Sequence, residues 1–242
     1  MYLLGWSAQL GANQYFCPLD LAYRSLLYVH IAAGFLSLTV FFVPAFARKG
    51  SRLHVRAGWI YVWGMAVVVT TALLLSLLMV GRGNWEFGLF FCFLSLITAG
   101  PLYYGTVIVR YRGRPVPPRV RRLRLVFLAG AALLTPVLLL AGGGWLGARP
   151  NPLLLVFGLL GLTTWPEWWA IWRNHQPTSD NWLFEHVRGL LVSSIAAFTA
   201  FFAFGGARLF AGLFVGPWSV VPWIIPTVVG TAVIHHYRRK FA

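Results

Sequence analysis

An all-α, polytopic integral membrane fold is predicted by three observations on this 242-residue chain. Hydrophobic residues make up 59% of it and charged residues only 10%, against about 25% charged in an average soluble domain. The apolar residues fall in blocks of about 20, the length a helix needs to cross a hydrocarbon core of about 30 Å. Five acids face 20 Lys and Arg, a net charge of +15, and the positive residues cluster between the apolar blocks. Disorder is excluded, because a solvated coil does not carry this much apolar surface. A soluble domain is excluded because no single core buries every block.

Seven blocks qualify as transmembrane helices. The first runs from Ser25 to Ala47 and ends at the basic turn Arg48-Lys49. The second, Ala57–Val80, lies between Arg56 and Arg82. The third, Phe87–Val109, stops at the basic run that begins with Arg110. The fourth, Leu125–Leu146, ends in Gly142-Gly143-Gly144, which follows no strand and reads as a frayed helix end, not a phosphate loop. The fifth spans Leu153–Trp172 and the sixth Gly189–Leu209. The seventh, Val220–His236, is short and contains Pro222 and Pro226, so an irregular first half is expected.

The charges orient these helices. One side collects Arg48, Lys49, Arg52 and Arg56; the run of seven arginines from Arg110 to Arg124; Arg173 and Arg188; and Arg238, Arg239 and Lys240. The other side holds only Arg24, Arg82, Arg149 and Arg208. Basic residues in short loops stay cytoplasmic. The split of 16 to 4 gives seven spans with the N-terminus outside and the C-terminus cytoplasmic. An even number would strand the tail or one inner loop on the wrong side. The chain divides into a short external segment (1–24), a seven-helix transmembrane domain (25–236) and a basic cytoplasmic tail (237–242).

This orientation explains most of the +15, leaving anionic lipid headgroups as the expected partner of the inner arginines. Nucleic-acid binding is not expected. Pro115, Pro117 and Pro118 interrupt the Arg110–Arg124 run, which reads as a solvated loop. Cys17 and Cys92 are too few for a disulfide framework. The start MYLLGWSAQL lacks the basic region of a secretory signal. Trp59, Trp85, Trp145, Trp172, Trp182 and Trp218 fall at predicted helix ends, as interfacial anchors do.

Ionisable groups inside a bilayer are costly, so each marks a functional hypothesis. Glu167 follows Pro166 in the fifth helix. It is either a paired carboxylate near the interface or a catalytic acid/base, proton-relay or metal-ligating group. Five of the six histidines fall at the cytoplasmic level: His54, His175, His186, His235 and His236. His30 lies in the outer third of the first helix. Neutral imidazoles tolerate interfaces and suit helix C-termini. The same grouping also fits a metal or haem b site on the second, sixth and seventh helices, with His54, His186, His235, His236 and Glu185 as candidate metal ligands. His54, Gly58, Tyr61 and Met65 share a helix face, and Gly58 leaves room for a flat macrocycle. His30 and Gly34 repeat that spacing. Gly189, Ser193, Ala196 and Ala200 form a small-residue stripe below His186. His54-Val55-Arg56-Ala57-Gly58 and His186-Val187-Arg188-Gly189 echo one another, as a distant duplication or a chance likeness of basic helix starts.

Other chemistries lack their residues. Neither Lys49 nor Lys240 lies in a span, so no retinal lysine exists. One intramembrane acid cannot build a carboxylate-bridged di-iron bundle. HExxH, Walker and dinucleotide motifs are absent.

The stretch His30-Ile-Ala-Ala-Gly34-Phe, the basic loop after it, and Leu53-His54-Val-Arg-Ala-Gly58-Trp-Ile-Tyr61-Val resemble the opening of a bacterial membrane-protein family, the domain of unknown function numbered 2306. Glu185-His186 followed by Ser193-Ser194-Ile-Ala-Ala-Phe-Thr199-Ala-Phe resembles its second region. These matches cover about a third of the chain, and the third to fifth helices carry none. The resemblance implies a multi-pass fold in a prokaryotic cytoplasmic (inner) membrane and cofactor-binding importance for His30, His54 and His186; it implies no reaction. Three functions follow as expectations. The first is a metal ion or haem b serving membrane redox chemistry or the assembly of a redox complex. The others are an accessory subunit or transporter without catalysis, and a membrane-embedded zinc-dependent lipid hydrolase, which the lack of an intramembrane Asp disfavours.

Overall fold

The computed structural model describes residues 18–112, 114–146, 149–173, 181–206, 218 and 221–241. All described regular structure is helical. We number the helices α1 (Pro18–Phe46), α2 (Arg52–Gly81), α3 (Trp85–Val107), α4 (Pro118–Gly142), α5 (Pro152–Gly161), α6 (Thr164–Trp172), α7 (Trp182–Ala200) and α8 (Val221–Phe241). A 3₁₀ turn, Ile108–Tyr111, extends α3, and a π-helical segment, Phe201–Gly206, extends α7. Taken with these extensions, and with α5 and α6 as one broken column, six helices among the described residues are long and apolar enough to cross a membrane.

Each helix packs against its chain neighbour from α1 to α5, while α7 leaves the sequence order and lies on α3, with α8 beyond it. The α3–α7 contact is made backbone to backbone. A Cβ on Gly189 would sit 2.5 Å from the Pro101 carbonyl oxygen and 2.8 Å from Gly105 Cα. The small-residue stripe of the sixth predicted helix thus serves close packing. Nearer the other end of α3, Phe90, Phe93, Ala131, Leu138, Leu154 and Phe157 form the main buried cluster between α3, α4 and α5, with Phe204 of the α7 extension packed on it. Leu36, Leu77, Leu133, Val156 and Val229 are exposed apolar side chains, as expected where lipid replaces water around the bundle.

Several helices begin earlier than the hydropathy blocks. Ser51 caps α2, accepting from the His54 N–H at 3.2 Å, so the helix starts five residues before Ala57 and includes His54 and Arg56. Pro118 is the first residue of α4, where proline's missing N–H costs nothing. Arg119, Arg121, Arg122 and Arg124 therefore occupy the first turns of a helix, a correction to the loop expected for this run. α7 starts at Trp182, which places Glu185, His186 and Arg188 in its first two turns. α8 is helical from Val221 through both prolines to Phe241, so the expected irregular first half is not found and the Tyr237–Lys240 segment continues the helix.

The fifth predicted helix is broken. α5 ends at Gly161, and α6 begins at Thr164. Pro166 has no N–H for the Leu162 carbonyl and its ring crowds that carbonyl. Tight i to i+3 bonds replace the regular ladder here: Thr163 N–H to Leu160 O at 3.0 Å and Trp165 N–H to Leu162 O at 3.3 Å. The hydroxyls of Thr163 and Thr164 donate to the Leu160 and Gly161 carbonyls, each at 2.7 Å.

Candidate functional site

Chain alternation brings the C-terminal ends of α1, α3, α6 and α8 to one end of the bundle, with the N-terminal ends of α2, α4 and α7. Two polar groupings form there.

The first is a histidine pair. His54 and His186 stand two residues and four residues inside the starts of α2 and α7, and their ring centroids are 6.5 Å apart at an interplanar angle of 66°. His54 Nδ1 donates to the Pro44 carbonyl at 3.0 Å, one of the last-turn carbonyls of α1 that the helix itself leaves unpaired. His186 Nδ1 donates to the Gly105 carbonyl at 2.7 Å, where α3 gives way to its 3₁₀ turn. A carbonyl oxygen only accepts, so each neutral ring carries its proton on Nδ1. Each Nε2 then presents a lone pair. This backbone anchoring is the arrangement that orients metal-ligating histidines.

Seven residues further along each helix, the fully buried Tyr61 hydroxyl meets Ser193 Oγ at 2.9 Å. α2 and α7 therefore meet through long side chains at two matching levels, His54 with His186 and Tyr61 with Ser193. The face read from the sequence as His54, Gly58, Tyr61 and Met65 is the face that meets α7, with Tyr61 and Met65 packed near Leu190 and Ala197. A Cβ on Gly58 would touch nothing within 4 Å, whereas Gly189 is filled by the α3 backbone. Only Gly189 is therefore a close-packing glycine.

The second grouping is an ion network around Glu167, the paired-carboxylate alternative for that residue, with partners that hydropathy alone does not point to. Arg124 of α4, its side chain 8% exposed, pairs with Glu167 of α6 and lies over the Tyr104 ring at 3.8 Å. Arg188 of α7 reaches Glu185 at 2.9 Å and Glu167 at 3.5 Å. Side chains of α3, α4, α6 and α7 thus share one network, in which Glu167 bridges the arginines of α4 and α7. The available signal was spacing: Arg124 lies six residues beyond Pro118, deep enough in a helix to face the core if the helix starts at that proline. Arg188 and Glu185 are three residues apart, on one helix face.

The remaining site candidates are placed elsewhere. His30 is tied within the α1–α2 pair, Nδ1 to the Val68 carbonyl at 3.1 Å and the Thr71 hydroxyl at 3.0 Å. Thr71 lies 17 residues beyond His54 on α2, about 26 Å by helix rise. His235 and His236 are exposed on α8, His236 edge-on to Tyr237. Among the described residues, no three His, Cys, Asp or Glu side chains group closely enough to hold a metal ion. The structure brings together two of the expected ligands, His54 and His186; Glu185 turns instead to Arg188. His175 lies outside the described residues. In comparisons with known proteins, no family model, no curated protein and no solved structure matches the chain.

Proposed function

We propose that this is a seven-span protein of a prokaryotic cytoplasmic membrane, N-terminus outside and C-terminus inside, that holds a metal ion or haem b on His54 and His186 for membrane redox chemistry or assembly of a redox complex. One observation carries the reading: two imidazoles from different helices, 6.5 Å apart, with both Nδ1 atoms committed to main-chain carbonyls. His54 and His186 would each offer the Nε2 lone pair that the backbone anchoring of Nδ1 leaves free. The pair would supply two nitrogen donors of the kind that hold iron or haem b, with redox chemistry coming from the bound group. A bound redox metal supplies one-electron chemistry; the protein supplies the two nitrogens and fixes their rings. The resemblance to the domain of unknown function 2306 belongs to this proposal and adds no reaction to it.

The test is an absorption spectrum and metal analysis of the purified full chain. A Soret band or one equivalent of iron is expected, lost in His54→Ala and in His186→Ala and retained in a His235→Ala/His236→Ala variant. Purified protein with neither Soret band nor stoichiometric metal overturns the reading.

A second reading, an accessory subunit or transporter, is favoured by the broken fifth span and the ion network on its lower half. Discontinuous helices with charged groups at the break are a recurrent way to build a solute path. Unchanged function with both histidines replaced would favour it.

A further inference from the structure

We infer that α6 is a hinged flap, latched by Glu167, that closes over the buried charges of α4 and α7. The inference is independent of any metal at the histidine pair.

The two halves of the broken column are held very differently. α5 is locked into α4 by close backbone approach: a Cβ on Gly158 would sit 2.9 Å from Leu139 Cγ and 3.0 Å from its backbone nitrogen, and Gly161 abuts Thr135. Leu154, Phe157, Gly158 and Gly161 are buried. α6 buries only Ile171, while Trp165, Trp169 and Trp172 are exposed. Besides Ile171 and its packing along α4, it is held to the bundle by polar contacts: Glu167 to Arg124 and Arg188, and Trp165 Nε1 to the Ala132 carbonyl at 3.2 Å.

The hinge lies between them. Leu162 and Thr163 have left the α-ladder, and Pro166 keeps it from reforming. Few buried apolar contacts and a broken ladder are the features of a segment that opens on its own. The latch residue is also the one that neutralises the interior. Swinging α6 away takes from Arg124 its carboxylate partner among the described residues, leaving it buried against Tyr104, and leaves Arg188 with Glu185. Opening would therefore present two guanidinium groups to whatever enters from that end of the bundle, and closing requires Glu167 to return.

Hydrogen exchange by mass spectrometry on the full chain in lipid nanodiscs tests this. In the wild type, amides of residues 164–172 should exchange faster than those of 152–161. Glu167→Gln removes the latch charge while keeping its shape. It should raise exchange in 164–172 about tenfold or more, with 152–161 unchanged. Arg188→Lys, which keeps the Arg124–Glu167 pair, should give a smaller rise in the same segment and covers the case in which Glu167→Gln does not fold. Equal protection of both segments in the wild type, or a rise shared equally by 152–161 and 164–172 in either variant, overturns the inference.

Discussion

Tyr61 and Arg124 are both buried polar residues in an apolar bundle, and they should respond very differently to removal. In Tyr61→Phe, Ser193 loses the phenol but still donates to the Leu190 carbonyl at 2.9 Å. No buried group is orphaned, so the loss should be about 0.5–1.5 kcal/mol. In Arg124→Leu, Glu167 keeps only the Arg188 contact at 3.5 Å. A buried carboxylate stripped of its main partner costs about 3–5 kcal/mol, and one-third exposure of Glu167 lowers that to about 2–4 kcal/mol. Thermal unfolding in one detergent should therefore rank wild type, Tyr61→Phe and Arg124→Leu in that order, with the second gap the larger. Equal midpoints for the two variants would show that the ion network contributes no more than one hydroxyl pair. At this scale the sequence was only half legible. His54, His186 and Glu167 stood out because polar residues are rare beside apolar blocks. Arg124 did not, because an arginine in a basic run looks like its neighbours until the helix start is known.

At the scale of elements, the existence of the helices was readable and their ends were not. Hydropathy marks where lipid begins, whereas a helix begins at a cap: Ser51 for α2 and Pro118 for α4. Extending α4 and α7 backwards by seven residues each converted Arg124, Glu185, His186 and Arg188 from loop residues into members of packed faces. The α5–α6 break was also underread. Pro166 was visible, but a proline alone kinks many membrane helices without interrupting them; the pair Thr163-Thr164 and Gly161 complete the break. Two glycines show how packing, invisible to periodicity, decides the meaning of a small residue. Gly58→Ala should be neutral or slightly stabilising, since its Cβ meets nothing and Ala favours helix by about 1 kcal/mol. Gly189→Ala should destabilise by about 1–3 kcal/mol, because its Cβ meets the α3 backbone, which cannot rotate away as a side chain would. Opposite signs in detergent melting curves check the α3–α7 crossing directly; a mild effect at Gly189 would mean that the two helices stand further apart.

At the scale of the whole molecule, the histidine pair and the Glu167 ion network lie at one end of the bundle, the end that also carries the basic helix starts of α2 and α4. The last helix decides how this maps onto the membrane. From Val221 to Ile234 α8 has 14 residues before its basic end, about 21 Å of helix, short of the hydrocarbon thickness of about 30 Å. It is not among the six helices whose length and composition suffice alone. Yet it packs along α7 for much of its length, with Gly230 seated against Ile195, so it runs with the bundle and not across its surface. Arg238 and Arg239 can extend toward the headgroups, and a thinner bilayer edge can close the remaining gap at a modest cost. The charge balance then favours crossing, because Arg238, Arg239 and Lys240 join the side that already holds the other inner clusters. A reporter that fluoresces only in the cytoplasm, fused after Ala242, should be bright, and a reporter active only outside, inserted after Gly144, should also be active. A dark C-terminal fusion beside an active Gly144 insertion would show that α8 does not cross. The basic tail would then lie opposite the loops it was grouped with, and the proposed inner position of all seven C-terminal and N-terminal helix ends around the histidine pair would fail for α8 alone.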